Sequence, residues 1–242
     1  MSTQTLCCHG APPRVLTPET GDLRLATSSP NPAEPGLAAM LRNATKTLHV
    51  TAERSGVIAN VLRGTANRHA YATFLRNLLP AYLALEQGLE RHRDEPGVRL
   101  FARPETYRAA YLVADLHGLA GLDWETTLTL LPEGVTYAEA VADAGRGDGT
   151  RLIAHAYARY LGDLSGGQIM QRLLAKSLGL GPDSLAFYRF PAIADIAAFK
   201  TEYHQSLDAA GEEIINPDRI TAEAEYAFRL NIDLSEAVAA LH

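Results

Sequence analysis

Three glycines fall within six residues in the stretch YLGDLSGGQ, Tyr160 to Gln168: Gly162, Gly166 and Gly167. The surroundings read as one long helix, in which each glycine costs roughly 1 kcal/mol relative to alanine. With His155 set at zero and about 100° per residue, Gly162 falls at about −20°, Gly166 at about 20°, Arg159 at about 40° and Asp163 at about 80°. Two glycines therefore share a stripe, with a carboxylate at its edge. Two readings fit this pattern. Either a neighbouring helix packs closely against bare backbone, or a flat ligand lies there beside an acid. It is not a phosphate loop, because the Gly-Lys-Ser/Thr ending and the G-x-G-x-x-G pattern are both missing.

A second constellation sits in ATKTLHVTAE and the residues just before it. With Arg42 at zero, Lys46 falls at about 40°, His49 at about −20° and Glu53 at about 20°. His49 and Glu53 are four residues apart, so the carboxylate can orient the imidazole. A solvated face with ordinary ion pairs explains the stripe. So does a neutral histidine held as a metal ligand, the arrangement of many haem irons, with two cations for the propionates.

Helices must carry both stripes. ALRNATKTLHVTAE has apolar residues at helical spacing. Asn67 is expected to cap RHAYATFLRNLLPAYLALEQGLERHR, with Pro80 kinking it. Pro104 suits the first turn of a helix through ETYRAAYLVADL, and Asp123 and Thr136 are further cap candidates. Asp148 is expected to open the glycine-bearing helix, which runs to about Leu178 and stops at Gly179. IADIAAFKTEYHQSLD and PDRITAEAEYAFRLNIDLSEAVAAL supply the last two. No stretch alternates long enough for a strand, so the expected fold is all-α, with roughly seven to nine helices.

Composition sets the outer limits. The 242 residues are 47% hydrophobic and 21% charged, which fits one globular domain with a full core. Six of the 13 prolines (Pro12, Pro13, Pro18, Pro30, Pro32 and Pro35) crowd the first 36 residues, so residues 1–36 are expected to be a flexible extension and 37–242 the domain. A net charge of −6 argues against nucleic acid. The two cysteines, Cys7 and Cys8, are adjacent. They form neither a disulfide framework nor the C-x-x-C-H of covalent haem attachment. No apolar run approaches the roughly 18 residues of a membrane span, and the N-terminus lacks a signal-peptide pattern. A soluble cytoplasmic protein is expected.

HAYARYLGDLSGGQ, His155 to Gln168, resembles the signature of the haem oxygenases. So do ATKTLHVTAE, AYLALE (Ala81 to Glu86), FPAIADIAAFKTEY (Phe190 to Tyr203) and AFRLNI (Ala227 to Ile232), in the family's order, over residues 37 to 241. The resemblance implies a helical domain with haem between a proximal helix and a kinked distal one. It implies that His49 ligates the iron of haem b and that Glu53 bonds His49. Gly162 and Gly166 would lie over the haem. Asp163 would hold a water that passes protons to the oxygen, within a network that includes Arg159 and Tyr82. Arg42, Lys46, Tyr157 and Lys200 would surround the propionates. The implied reaction uses O2 and electrons from an outside donor, a ferredoxin or flavoprotein reductase. It opens haem at a meso carbon, α by preference, to biliverdin, carbon monoxide and ferrous iron.

His204 departs from the pattern, standing where many members carry a propionate-holding arginine. A histidine is shorter and only partly charged near neutral pH. The chain ends without the apolar tail of the membrane-anchored members, so no membrane partner is expected, and a monomer is. Should His49 not be the ligand, His155 is the next candidate. His69, His92 and His117 read as surface or helix-end residues, and Trp124 as core. Two rival functions remain. One is a haem carrier or sensor without turnover, which would not need Asp163. The other is a different enzyme on a similar helical fold. A di-iron oxidase would want Glu-x-x-His pairs, and no histidine here has a glutamate three residues before it.

Overall fold

The structure, a computed structural model, describes residues 35–242. The expected extension over residues 1–36 lies outside the described residues, apart from Pro35 and Gly36. The first described element is α1 (Leu37–Arg54). A short α2 (Gly56–Arg63) leads to α3 (Arg68–Arg91), which Asn67 caps by accepting from the Ala70 amide at 2.7 Å. Pro80 removes one ladder bond, yet α3 runs unbroken through it. The packing around it explains this: α3 is buried on nearly every face and lies against α4 (Ala109–Ala120), α6 (Pro132–Ala144) and α11 (Pro217–Leu241). Tertiary burial overrides local propensity there.

Two expected helix starts are displaced. Pro104 opens only a three-residue 3-10 turn, Pro104–Thr106, and α4 begins at Ala109. Glu86 caps α4 from outside the helix, accepting from the Arg108 and Ala109 amides at 2.6 and 2.8 Å. Thr136 lies inside α6, whose first residue is Pro132, the position where a missing N–H costs nothing. Asp123 precedes the single-turn α5 (Trp124–Thr127) without a side-chain cap. Asp195 and Asn216 do cap α10 (Ile196–Glu213) and α11.

The glycine-bearing segment is a run of helix in two conformations. It starts as α7 (Leu152–Ala156), widens to a π-turn over Tyr157–Leu161, and resumes as α8 (Gly162–Ser165) and α9 (Gly167–Leu178). Asp148 does not open it; its carboxylate turns back on Thr150 at 3.0 and 3.1 Å. Gly179, with φ of 64°, ends it in the left-handed conformation. This long element is called the glycine helix below. Pro35–His242 packs around a single core in which Tyr71, Leu75 and Leu85 of α3 meet Leu112, Val141, Ile153 and Leu234. Trp124 belongs to that core. Among the described residues there is no strand, and no helix is long and apolar enough to cross a membrane.

Candidate active site

The α1 stripe lies open. Arg42, Lys46, His49 and Glu53 are all exposed along α1, while Leu37, Leu41 and Thr45 pack inward. His49 Nδ1 faces Glu53 Oε1 at 3.7 Å, and the ring leans on Phe228 of α11, 6.0 Å between centroids. Glu53 therefore engages Nδ1 and leaves Nε2 as the ring nitrogen without an intramolecular partner. Arg42, Lys46 and Lys200 make no ion pair among the described residues, so their charges stay available to an anion. Lys200 and His204 ride on α10, which packs along α1, but no side-chain bond joins either to the stripe. Thr45 ties α1 to the glycine helix. Its hydroxyl donates to the Leu41 carbonyl at 2.8 Å and meets the Tyr157 hydroxyl at 3.3 Å.

On the glycine helix, open backbone and a buried acid sit side by side. Gly162 and Gly166 are exposed. A Cβ added to Gly162 would meet nothing within 4 Å, and one on Gly166 only the Gly162 carbonyl at 3.4 Å. No neighbouring helix fills that space, which rules out close helix packing as the reason for these two glycines. Gly167 differs: a Cβ there would sit 2.8 Å from the Tyr188 ring, so this glycine does serve packing.

Asp163 is 4% exposed, next to the open Gly162. Tyr82 donates to its Oδ2 at 2.5 Å. Arg159 Nε donates to the Tyr82 hydroxyl at 2.9 Å, and another Arg159 nitrogen lies 3.5 Å from Asp163 Oδ1. The proton directions are forced. A guanidinium only donates, so the Tyr82 proton must go to Asp163, which accepts as a carboxylate. Burial pushes the Asp163 carboxyl above the ordinary range, against the pull of Arg159, Tyr82 and Arg108. Burial likewise lifts the Tyr82 phenol. It would lower Arg159, but Tyr82, Tyr137 and Asp163 together hold that guanidinium charged.

The sequence wheel fails in one respect. It placed His155 on the face of Gly162 and Gly166. His155 is instead fully buried, its Nε2 bonded to Glu223 Oε1 at 2.9 Å. The π-turn explains the error: each of its residues advances less than 100° around the axis, so the phase slips between His155 and Gly162. His155 therefore faces α11 and cannot serve as an alternative axial ligand. His92 ends α3, bonded to the Gly145 carbonyl at 2.8 Å, while His69 and His117 are exposed.

Sequence reading missed several partners. Asn231 Oδ1 accepts from Arg159 at 2.5 Å. Phe228, three residues earlier, backs His49. Both lie in AFRLNI, so the stretch carried the signal but no local pattern named the two side chains.

A family model for heme oxygenase matches residues 35–237. Heme oxygenase 1 of Nostoc sp. is 35% identical over 199 residues, which covers 82% of this chain and 84% of that protein. Heme oxygenase 1 of Homo sapiens is 34% identical over 203 residues, covering 83% and 70%. Among solved structures, heme oxygenase-1 of Synechocystis sp. in complex with heme superposes with a TM-score of 0.80 at 32% identity, covering 86% of this chain and 94% of that one. Heme oxygenase-2 of the same organism, in complex with heme and NO, gives 0.81 at 31%, covering 86% of each. The open glycines, the exposed histidine and the buried acid thus occur in a chain matched by one family along nearly its whole described length, and that chain belongs to the haem oxygenase family.

Proposed function

We propose that this chain holds haem b between α1 and the glycine helix and opens it at the α-meso carbon, releasing biliverdin, carbon monoxide and ferrous iron. The observation that carries this reading is the pairing, on the glycine helix, of two open glycines with a buried, bonded carboxylate beside them. The residues fit the group: Gly162 and Gly166 leave a cradle that a Cβ would fill, and the α1 stripe offers a histidine nitrogen flanked by unpaired cations.

His49 Nε2 would hold the iron, with Glu53 fixing the ring and its tautomer. Arg42, Lys46, Tyr157 and Lys200 would bind the propionates, with His204 a weaker contributor at the end of the same clamp. Bound haem supplies oxygen activation at its iron and is also the substrate. A neutral histidine ligand, unlike a thiolate, does not push strongly toward O–O cleavage. Bare backbone at Gly162 and Gly166 would admit the porphyrin closely and limit where oxygen can lie, which selects the carbon attacked. Asp163 has lone pairs on Oδ1 that Tyr82 does not use. There it would hold a water and move protons through it, while Arg159 and Tyr82 keep the carboxylate oriented. Electrons would come from a ferredoxin or flavoprotein reductase. We take the protein to act as a cytoplasmic monomer.

A carrier or sensor without turnover is the second reading. It would need His49 and the cations, but gains nothing from a buried Asp163–Tyr82–Arg159 chain. Haemin titration followed by a reductase or ascorbate in air separates the two. Loss of the Soret band with a chromatographically identified bilin supports catalysis. A persistent Soret band without bilin would leave only binding.

A further inference from the structure

A glycine-rich segment is soft, and its cleft-facing side touches nothing that could fix its position. Something on its far side must do so. That support is a short 3-10 turn, Ala186–Tyr188. The Tyr188 ring lies directly beneath Gly167, where a Cβ would come within 2.8 Å of it. Gln168 Nε2 donates to the Tyr188 carbonyl at 2.9 Å, and Gln171 Nε2 to the Leu185 carbonyl at 3.4 Å. Phe187 stands edge-on to Tyr82, 5.6 Å between centroids. The turn therefore braces both the glycine helix and the phenol that holds Asp163.

Three residues in a 3-10 turn cannot hold themselves rigid. This turn is pinned from α4. Asp115, with no exposed surface, accepts from the Ala186 amide at 2.6 Å on Oδ1 and from the Phe187 amide at 2.9 Å on Oδ2. Arg108, also buried, donates to the Arg189 carbonyl and, at 3.5 Å, to the Phe187 carbonyl. Burial lifts the Asp115 carboxyl to about 6, with the two amides pulling the other way. At neutral pH it is mainly a carboxylate, able to accept both bonds.

We propose that Asp115 is a positioning residue: through the Ala186–Tyr188 turn it sets how deeply the Gly166–Gln168 backbone lies over the haem face, and with that the bilin isomer formed. The isomer half of this statement rests on the haem reading above; the bracing half does not.

Asp115→Asn preserves shape but turns one acceptor into a donor facing an amide donor. In the haem-free protein, amide exchange at Gly166 to Ile169 should accelerate about tenfold or more, the effect of losing one charge-assisted hydrogen bond, while amides of α1 stay unchanged. In the haem-loaded protein the variant should give a broader isomer mixture than wild type. Unchanged exchange at Gly166 to Ile169, or a native isomer ratio despite faster exchange, overturns the proposal. Should Asp115→Asn fail to fold, a second pair decides. Gly167→Ala should shift the isomer ratio by pressing on Tyr188. Adding Tyr188→Val should restore it, since the ring carbon that a Cβ would meet at 2.8 Å is then gone. A shift indifferent to residue 188 also overturns the proposal. Failure of wild type to form any bilin would sink the haem reading instead, and the exchange result would stand apart from it.

Discussion

α1 and the glycine helix solve opposite problems. On α1, the functional side chains are exposed and mostly unpaired, and the element beneath them is a regular helix. On the glycine helix, the functional side chains are buried and bonded to one another, and the helix itself is irregular. On the proposed reading, α1 would keep its charges free for an anionic, metal-bearing ligand, and the glycine helix would keep its proton-handling groups preorganised and dry, where their electrostatics are strongest. Neither wall stands alone. Phe228 and Asn231, three residues apart on α11, touch His49 and Arg159 respectively.

Removing a group from each wall should break the site in different ways. The largest effect belongs to His49→Ala. Turnover should fall beyond the roughly 100-fold typical of disturbing a metal ligand's support, and free imidazole should partly restore it. An unchanged iron–histidine band by resonance Raman would assign ligation elsewhere. Next is Asp163→Ala, where haem should still bind because α1 is intact. Bilin yield should fall roughly 10²- to 10⁴-fold, the range for a lost proton-transfer group, with oxidation of added guaiacol appearing in its place. Normal yield would reduce Asp163 to a structural carboxylate. Lys200→Glu should weaken haem binding about tenfold, an effect that shrinks in high salt, whereas His204→Arg should tighten it slightly. Equal affinities across the three proteins would move the propionates away from α10.

The smallest effect tests support rather than chemistry. Glu223 joins His155 at 2.9 Å to Arg151 at 3.2 Å. Burial works against its charge, but His155 and Arg151 outweigh it and hold the carboxyl below its ordinary range. A depressed folded-state value means the stabilisation is present above the unfolded carboxylate range and is lost as pH falls through the folded one. Glu223→Gln should therefore cost about 1–2 kcal/mol at pH 7 and progressively less below about pH 4. Urea midpoints at both pH values check this. A penalty independent of pH would point to packing alone.

The α1 wall was legible in the sequence because a regular helix keeps its phase, so four residues could be placed on one stripe by counting. The cap at Asn67 and the stop at Gly179 were legible for the same reason: their signals are local. The glycine helix was legible as composition but not as geometry, since its π-turn slips the phase that counting assumes. Asn231 and Asp115 were not legible as partners of the site. Each acts on a group about 70 residues away in sequence, across packing that no short window contains. In its own helix, Asp115 looks like any polar residue on an amphipathic face.

The π-turn at Tyr157–Leu161 can also be viewed as a matter of count. It is a helix carrying one residue more than a regular turn requires, taken up by bulging rather than by rewinding. Deleting any one residue there would let the helix close regularly, at little local cost. It would also carry every later side chain about 100° around the axis. Asp163 would leave Tyr82, and the bare backbone of Gly162 and Gly166 would turn from the cleft. This stretch should accordingly tolerate no change of length. The glycines downstream are useful only while the count upstream remains one too many.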